Sequence, residues 1–198
     1  MTIKEVKTNF IVDTAVQLIL EKSISEVTVK DIAKKAGVGE ATVYRYFSTK
    51  QNLVGAVAVR LEKDIFENYF ATIKGDGYQK LAQFYKSYYL IFSAHKEFFK
   101  FINEFDAFML NVGTSEEYAT GLDTFKKVFT DAYTQAAMEG SITPVDNPEV
   151  FYYATTHALL ELCKKLSSPE IVRQDLNINK EKEILTLTDI ILHRLKKA

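Results

Sequence analysis

The sequence is short of most residues and patterns that mark special architectures. Its 198 residues include one cysteine, Cys163, so no intrachain disulfide can form and a reducing compartment is expected. Three prolines and eight glycines are too few for a collagen-like, linker-rich or disordered chain. Tryptophan is absent. The longest apolar runs, such as Ala56–Val59 and Tyr88–Phe92, fall far below the roughly 20 residues that span a bilayer. The opening segment MTIKEVKTNF is charged and lacks the apolar stretch of a signal peptide. The expectation is a cytoplasmic chain with no membrane association. No segment sustains the apolar/polar alternation of a half-buried strand. Catalytic signatures are missing too: there is no HExxH, GxSxG, P-loop or CxxC pattern. His95, His157 and His193 are scattered, and His157 stands six residues from Cys163, a poor nucleophile–base spacing. No metal-ligand cluster is visible. The reading is therefore not an enzyme, with no cofactor and no metal.

What is present is uneven along the chain. The formal net charge is −1, which taken alone argues against a nucleic-acid partner. Residues 1–50, however, hold eight basic and six acidic side chains, net +2, while the rest of the chain carries −3. Only four of the 25 aromatic residues fall in the first 50. This division suggests a small basic head, 1–50, and a large aromatic-rich body, 51–198.

Apolar residues recur at helical spacing almost throughout, as in Phe10, Ala15, Leu18 and Ile19. The expected fold class is all-α with about nine helices. The first of these covers Ile11–Lys22, and six in the body cover about 51–74, 78–94, 97–111, 117–139, 148–166 and 180–196, with a short turn near 169–175.

The most informative stretch is Val27–Leu53, VTVKDIAKKAGVGEATVYRYFSTKQNL. Thr28 and Asp31 have capping-box spacing, with Asp in place of the usual Glu or Gln. Gly37 suits the left-handed cap that ends a helix. Gly39 is a tolerable N-cap for a second short helix, Glu40–Phe47, whose apolar face is Val43, Tyr44 in part, and Phe47. Its other face offers Thr42, Arg45 and Tyr46 as donors for phosphates or base edges. Two short helices joined by a glycine turn make a helix-turn-helix, whose second helix enters the major groove. On geometry alone an ordinary helical hairpin fits equally well.

The residue types go further. Thr28, Ile32-Ala33, Ala36-Gly37-Val38, Thr42-Val43-Tyr44, Tyr46-Phe47 and Thr49-Lys50 together resemble the head of the tetracycline-repressor (TetR) family of transcriptional regulators, over about residues 8–59. The resemblance implies an N-terminal helix-turn-helix domain followed by a ligand-sensing and dimerising helical domain. It implies phosphate contacts at Thr28 and Lys50, register set by Tyr46, and Thr42 and Tyr44 at the groove. Lys30 and Lys34 would reach phosphate from the preceding helix, and Arg45 would read guanine or clamp phosphate. Two positions depart from the family pattern: Gly39 stands where Ser is usual, and Glu40 where Lys, Arg or a small residue is common. Glu40 is read as a first-turn acid favoured by the helix dipole, against the alternative of a cytosine contact.

A +2 head makes few phosphate contacts, so a two-fold dimer on a palindromic operator in double-stranded DNA is expected. The family's dimer surface is the last pair of long helices, here 149–166 and 180–196. The body's aromatics are core filling in the simplest view, yet aromatic walls with a few polar groups also describe a small-molecule pocket. Candidate lining residues are Tyr88, Phe92, Phe105, Phe125, Tyr152, Thr156 and His157, with Asn103, Asp106 and Glu161 as further polar groups. His157 and Glu161 share one helical face at i,i+4 spacing. The functional expectation is a ligand-responsive repressor released from DNA by a small apolar or aromatic effector. The alternatives are a helical protein-interaction module, or a small-molecule-binding protein without DNA binding.

Overall fold

Capping chemistry sets where many of these helices begin. In the computed structural model, which describes residues 2–168 and 178–197, Thr2 accepts from the backbone of Glu5, and Glu5 returns the bond to the Thr2 amide at 2.7 Å. Helix α1 (Ile3–Glu21) therefore starts eight residues before the expected Ile11. Thr28 and Asp31 form a second capping box for α2 (Val29–Lys35). Gly37 takes φ +65° after α2, and α3 (Glu40–Phe47) follows from Gly39. The Thr49 hydroxyl accepts from Asn52 N at 3.1 Å and starts α4 (Lys50–Ile65).

Beyond α4 the expected helix to residue 74 gives way to a π-helical turn, Phe66–Phe70, closed by Ala71 N donating to Phe66 O at 2.9 Å. Both rings at its ends meet Phe125 edge-on, with centroids 5.2 and 4.8 Å away. The remaining helices are α5 (Gly77–Ala94), α6 (Lys96–Met109), α7 (Glu116–Met138), α8 (Pro148–Ser167) and α9 (Lys180–Leu195). Nine α-helices and no strand are found among the described residues; Ile142 and Lys196 form an isolated bridge. None of these helices is long and apolar enough to cross a membrane. The turn expected near 169–175 lies outside the described residues.

The chain packs as two units, Met1–Asp64 with Lys100–Gly121, and Ile65–Phe99 with Leu122–Ala198. In the first, Ile11, Ala15, Leu18 and Ile19 of α1 are buried together with Ile32, Val43, Phe47, Leu53, Val57 and Phe105. The second is built on α5, α8, α9 and the later part of α7. Phe84 sits at its aromatic centre, with the rings of Phe70, Tyr85, Tyr88, Phe129 and Tyr152 all within 6.4 Å. A Cβ on Gly77 would lie 2.1 Å from Ala136 N, so the start of α5 touches the α7 backbone only because it has no side chain there.

Candidate nucleic-acid interface

In α3 the 3.6-residue period separates two faces. Val43 and Phe47 are buried, Tyr44 and Arg45 are exposed, and Thr42 and Tyr46 are half-buried between them. The helix is thus anchored through two apolar side chains and presents Tyr44 and Arg45 outward. The Arg45 guanidinium lies over the Tyr46 ring, 5.5 Å from its centroid, which restrains an otherwise flexible cation. Gly39 supplies no side-chain cap, and its carbonyl accepts from the Thr42 amide at 2.8 Å; Glu40 stands exposed in that turn, where the helix dipole favours a carboxylate.

On α2, Lys30 and Lys34 are exposed. Thr28 is committed to its cap: the hydroxyl donates to Asp31 Oδ2 at 2.6 Å and accepts from Asp31 N at 3.1 Å. The hydroxyl bond, and after it the bond that the Thr28 amide donates to Asp31 Oδ2 at 3.0 Å, hold the Asp31 carboxyl below its usual range. Lys50 is placed differently from a free phosphate ligand. Its ammonium donates to the Ile24 carbonyl at 2.5 Å and sits 5.7 Å from the Phe108 ring centroid. Burial lowers its pKa. Of the seven residues expected at DNA, Lys30, Thr42, Tyr44, Arg45 and Tyr46 keep polar groups without such a prior commitment to the backbone; Thr28 and Lys50 do not.

The expected ligand-lining residues fall in both units. Tyr88, Phe92, Phe125, Tyr152 and Thr156 belong to the second unit, whereas Phe105 is buried in the first. Phe105 stacks with Phe101 at 5.6 Å and meets Tyr118 at 5.3 Å. Tyr88 and Tyr152 both reach Phe84, and Phe92 faces Phe99. The Thr156 hydroxyl donates to the Tyr152 carbonyl at 2.7 Å. His157 is exposed on the opposite face of α8, against the Tyr153 ring at 5.6 Å. Glu161 accepts from Lys164 at 2.6 Å. Asn103 and Asp106 are exposed on α6. Beside Tyr152 runs a cleft of about 580 Å³, lined by Phe129, Tyr133, Met138, Pro148 and Glu149.

The sequence reading missed three groups of the first unit. Arg60 of α4 binds Asp13 and, at 3.2 Å, Asn9, both on α1. Glu104 of α6 accepts from the Ile24 amide at 2.8 Å. Glu62 of α4 is only 6% exposed and its Oε1 has no partner, so burial pushes its carboxyl up to about 7. Its one legible signal is a lone acid on the apolar side of α4; the other two lie across long chain separations.

Comparison with known proteins places the head first. Residues 11–57 match the model of the bacterial regulatory proteins of the tetR family. The HTH-type transcriptional regulator YvdT of Bacillus subtilis is 35% identical over 66 residues, 33% of this chain and 34% of its own length. The match therefore spans about a third of that relative. The whole fold has solved counterparts. FadR from Bacillus subtilis, in complex with stearoyl-CoA, superposes with a TM-score of 0.70 over 93% of this chain and 97% of its own, at 18% identity. A tetR-family regulator from Streptomyces coelicolor gives 0.66 over 96% and 80%, at 17% identity. At such identities these two likenesses speak for the fold. Residues 11–57 thus carry the helix-turn-helix of the tetR family of bacterial regulatory proteins, and the all-helical fold that follows is similar to that of solved regulators.

Proposed function

We propose that the chain is a cytoplasmic, ligand-responsive transcriptional repressor that binds a palindromic operator as a homodimer. The observation that carries this reading is α3: Val43 and Phe47 anchor it, and Tyr44 and Arg45 stand exposed on its outer face. In this reading α3 enters the major groove. Tyr44 and Thr42 meet the groove wall, Arg45 takes a guanine edge or a phosphate, and Tyr46 fixes register. Lys30 and Lys34 supply phosphate contacts, and the Thr28 cap holds α2 in place.

An uncovered apolar stripe supports the dimer. Val150 and Tyr153 of α8 and Ile190 of α9 are exposed, and Ala154, His157 and Ala158 continue the α8 stripe. Pairing the 149–166 and 180–196 helices with their copies would cover it and set two heads on two half-sites. The aromatic core around Phe84 and the likeness to FadR, which carries stearoyl-CoA, favour an apolar effector near Tyr88, Phe92, Phe125 and Tyr152. Binding such a molecule shifts the chain toward a state in which both heads no longer fit the operator.

Selection from random-sequence DNA tests the reading. The wild-type protein should enrich a palindrome and bind it with a steep loss of affinity as salt rises. Recovery of no sequence, or binding that ignores salt, would end it.

A further inference from the structure

One face of α6 is directed at the turn that joins the first two helices of the head. Lys100, Glu104 and Phe108 follow one another at i, i+4 and i+8, so they share a helical face. All three lie in the same unit as the head. Lys100 Nζ donates to the Lys22 carbonyl at 3.1 Å. Glu104 Oε2 accepts from the Ile24 amide at 2.8 Å. Phe108 lies 5.7 Å from the Lys50 ammonium, which itself donates to the Ile24 carbonyl at 2.5 Å. Lys100 and Glu104 stand 4.0 Å apart as an i,i+4 pair.

Both backbone groups of Ile24 are thereby held by charged side chains distant in sequence, and its own side chain is 2% exposed. The turn leads into the Thr28 cap that starts α2, with the Glu26 and Val27 amides donating back to Ser23 at 3.1 and 3.2 Å. Its position therefore sets where α2, and α3 behind it, stand. Backbone groups bonded to charged partners form some of the stronger hydrogen bonds in proteins.

We propose that Lys100, Glu104 and Phe108, with Lys50, form a clamp on the Lys22–Ser25 turn that positions the DNA-reading helices. This rests on the DNA-binding reading above and deepens it. Lys50 spends its ammonium on the clamp and not on phosphate.

The test uses full-length protein and the duplex that the wild type selects from random-sequence DNA. Glu104→Ala should weaken binding by about tenfold or more, the scale of one charge-assisted hydrogen bond. The slope of log affinity against log salt should stay unchanged, because no phosphate contact is lost. Exchange of the Ile24 amide should accelerate. Glu104→Gln keeps an acceptor oxygen and should restore most of the affinity and the protection. Lys50→Met should likewise weaken binding at constant slope. A slope lower by about one for each head would instead make Lys50 a phosphate ligand and overturn its assignment. Glu104→Ala binding like the wild type, or with unchanged Ile24 exchange, would overturn the clamp. Should Glu104→Ala lose helix content, Lys100→Met carries the same test. Failure of the wild type to select any duplex would strike the DNA-binding reading, and Ile24 exchange would still decide the clamp.

Discussion

Glu62 makes stability fall as pH rises through neutrality. Its carboxyl is 6% exposed, and a Cβ on Gly121 would lie 2.5 Å from its Oε2. Burial raises its pKa from 4.5 to about 7. The folded chain therefore holds this proton where the unfolded chain has released it. For a raised folded-state pKa, the stability is complete below the unfolded value and is lost as pH climbs through the folded one. A shift of this size corresponds to at most about 3 kcal/mol, of which about 2 is lost between roughly pH 5.5 and 8.5. Glu62→Gln removes the titration while keeping the shape. Urea unfolding of both proteins at the two pH values measures the effect. The wild type should lose about 2 kcal/mol relative to the variant as pH rises. Parallel pH dependence of the two proteins would refute the placement of Glu62.

Thr28→Ala removes the hydroxyl half of the α2 capping box, while the residue 28 amide can still donate to Asp31, and should cost about 1 kcal/mol, read as a lower denaturation midpoint. Gly77→Ala forces a Cβ to within 2.1 Å of the Ala136 amide nitrogen, so it should destabilise by about 3 kcal/mol or more and lower the melting temperature accordingly. Ile190→Asp puts a charge on the uncovered α9 face; light scattering should then report the 22.6 kDa chain mass, against twice that for the wild type.

The sequence shows the head well because its signals are local. Thr28 with Asp31, Gly37, and the Val43/Phe47 pair each act within four residues, and each appears in the structure as capping bonds, a positive φ, or burial. The same chemistry at Thr2 and Glu5 marks the true start of α1, yet Ile3, Val6 and Phe10 are exposed, so no buried stripe announces that first stretch. Periodicity also cannot tell the inner face of α8, with Tyr152 and Thr156, from its outer face, with Tyr153 and His157, when both are apolar or aromatic. The π turn at Phe66–Phe70 depends on Phe125, far along the chain. Lys50 and Glu104 reach Ile24 across 26 and 80 residues, a separation over which no local pattern carries information.

The most direct test of the account is operator binding by Tyr44→Ala and Arg45→Ala. Both side chains are exposed on α3, so the variants should unfold like the wild type. Arg45→Ala should weaken binding to the selected palindrome by about 1–3 kcal/mol per half-site and relax its sequence preference or flatten its salt slope. Wild-type affinity, preference and slope in both variants would contradict the claim that α3 reads DNA.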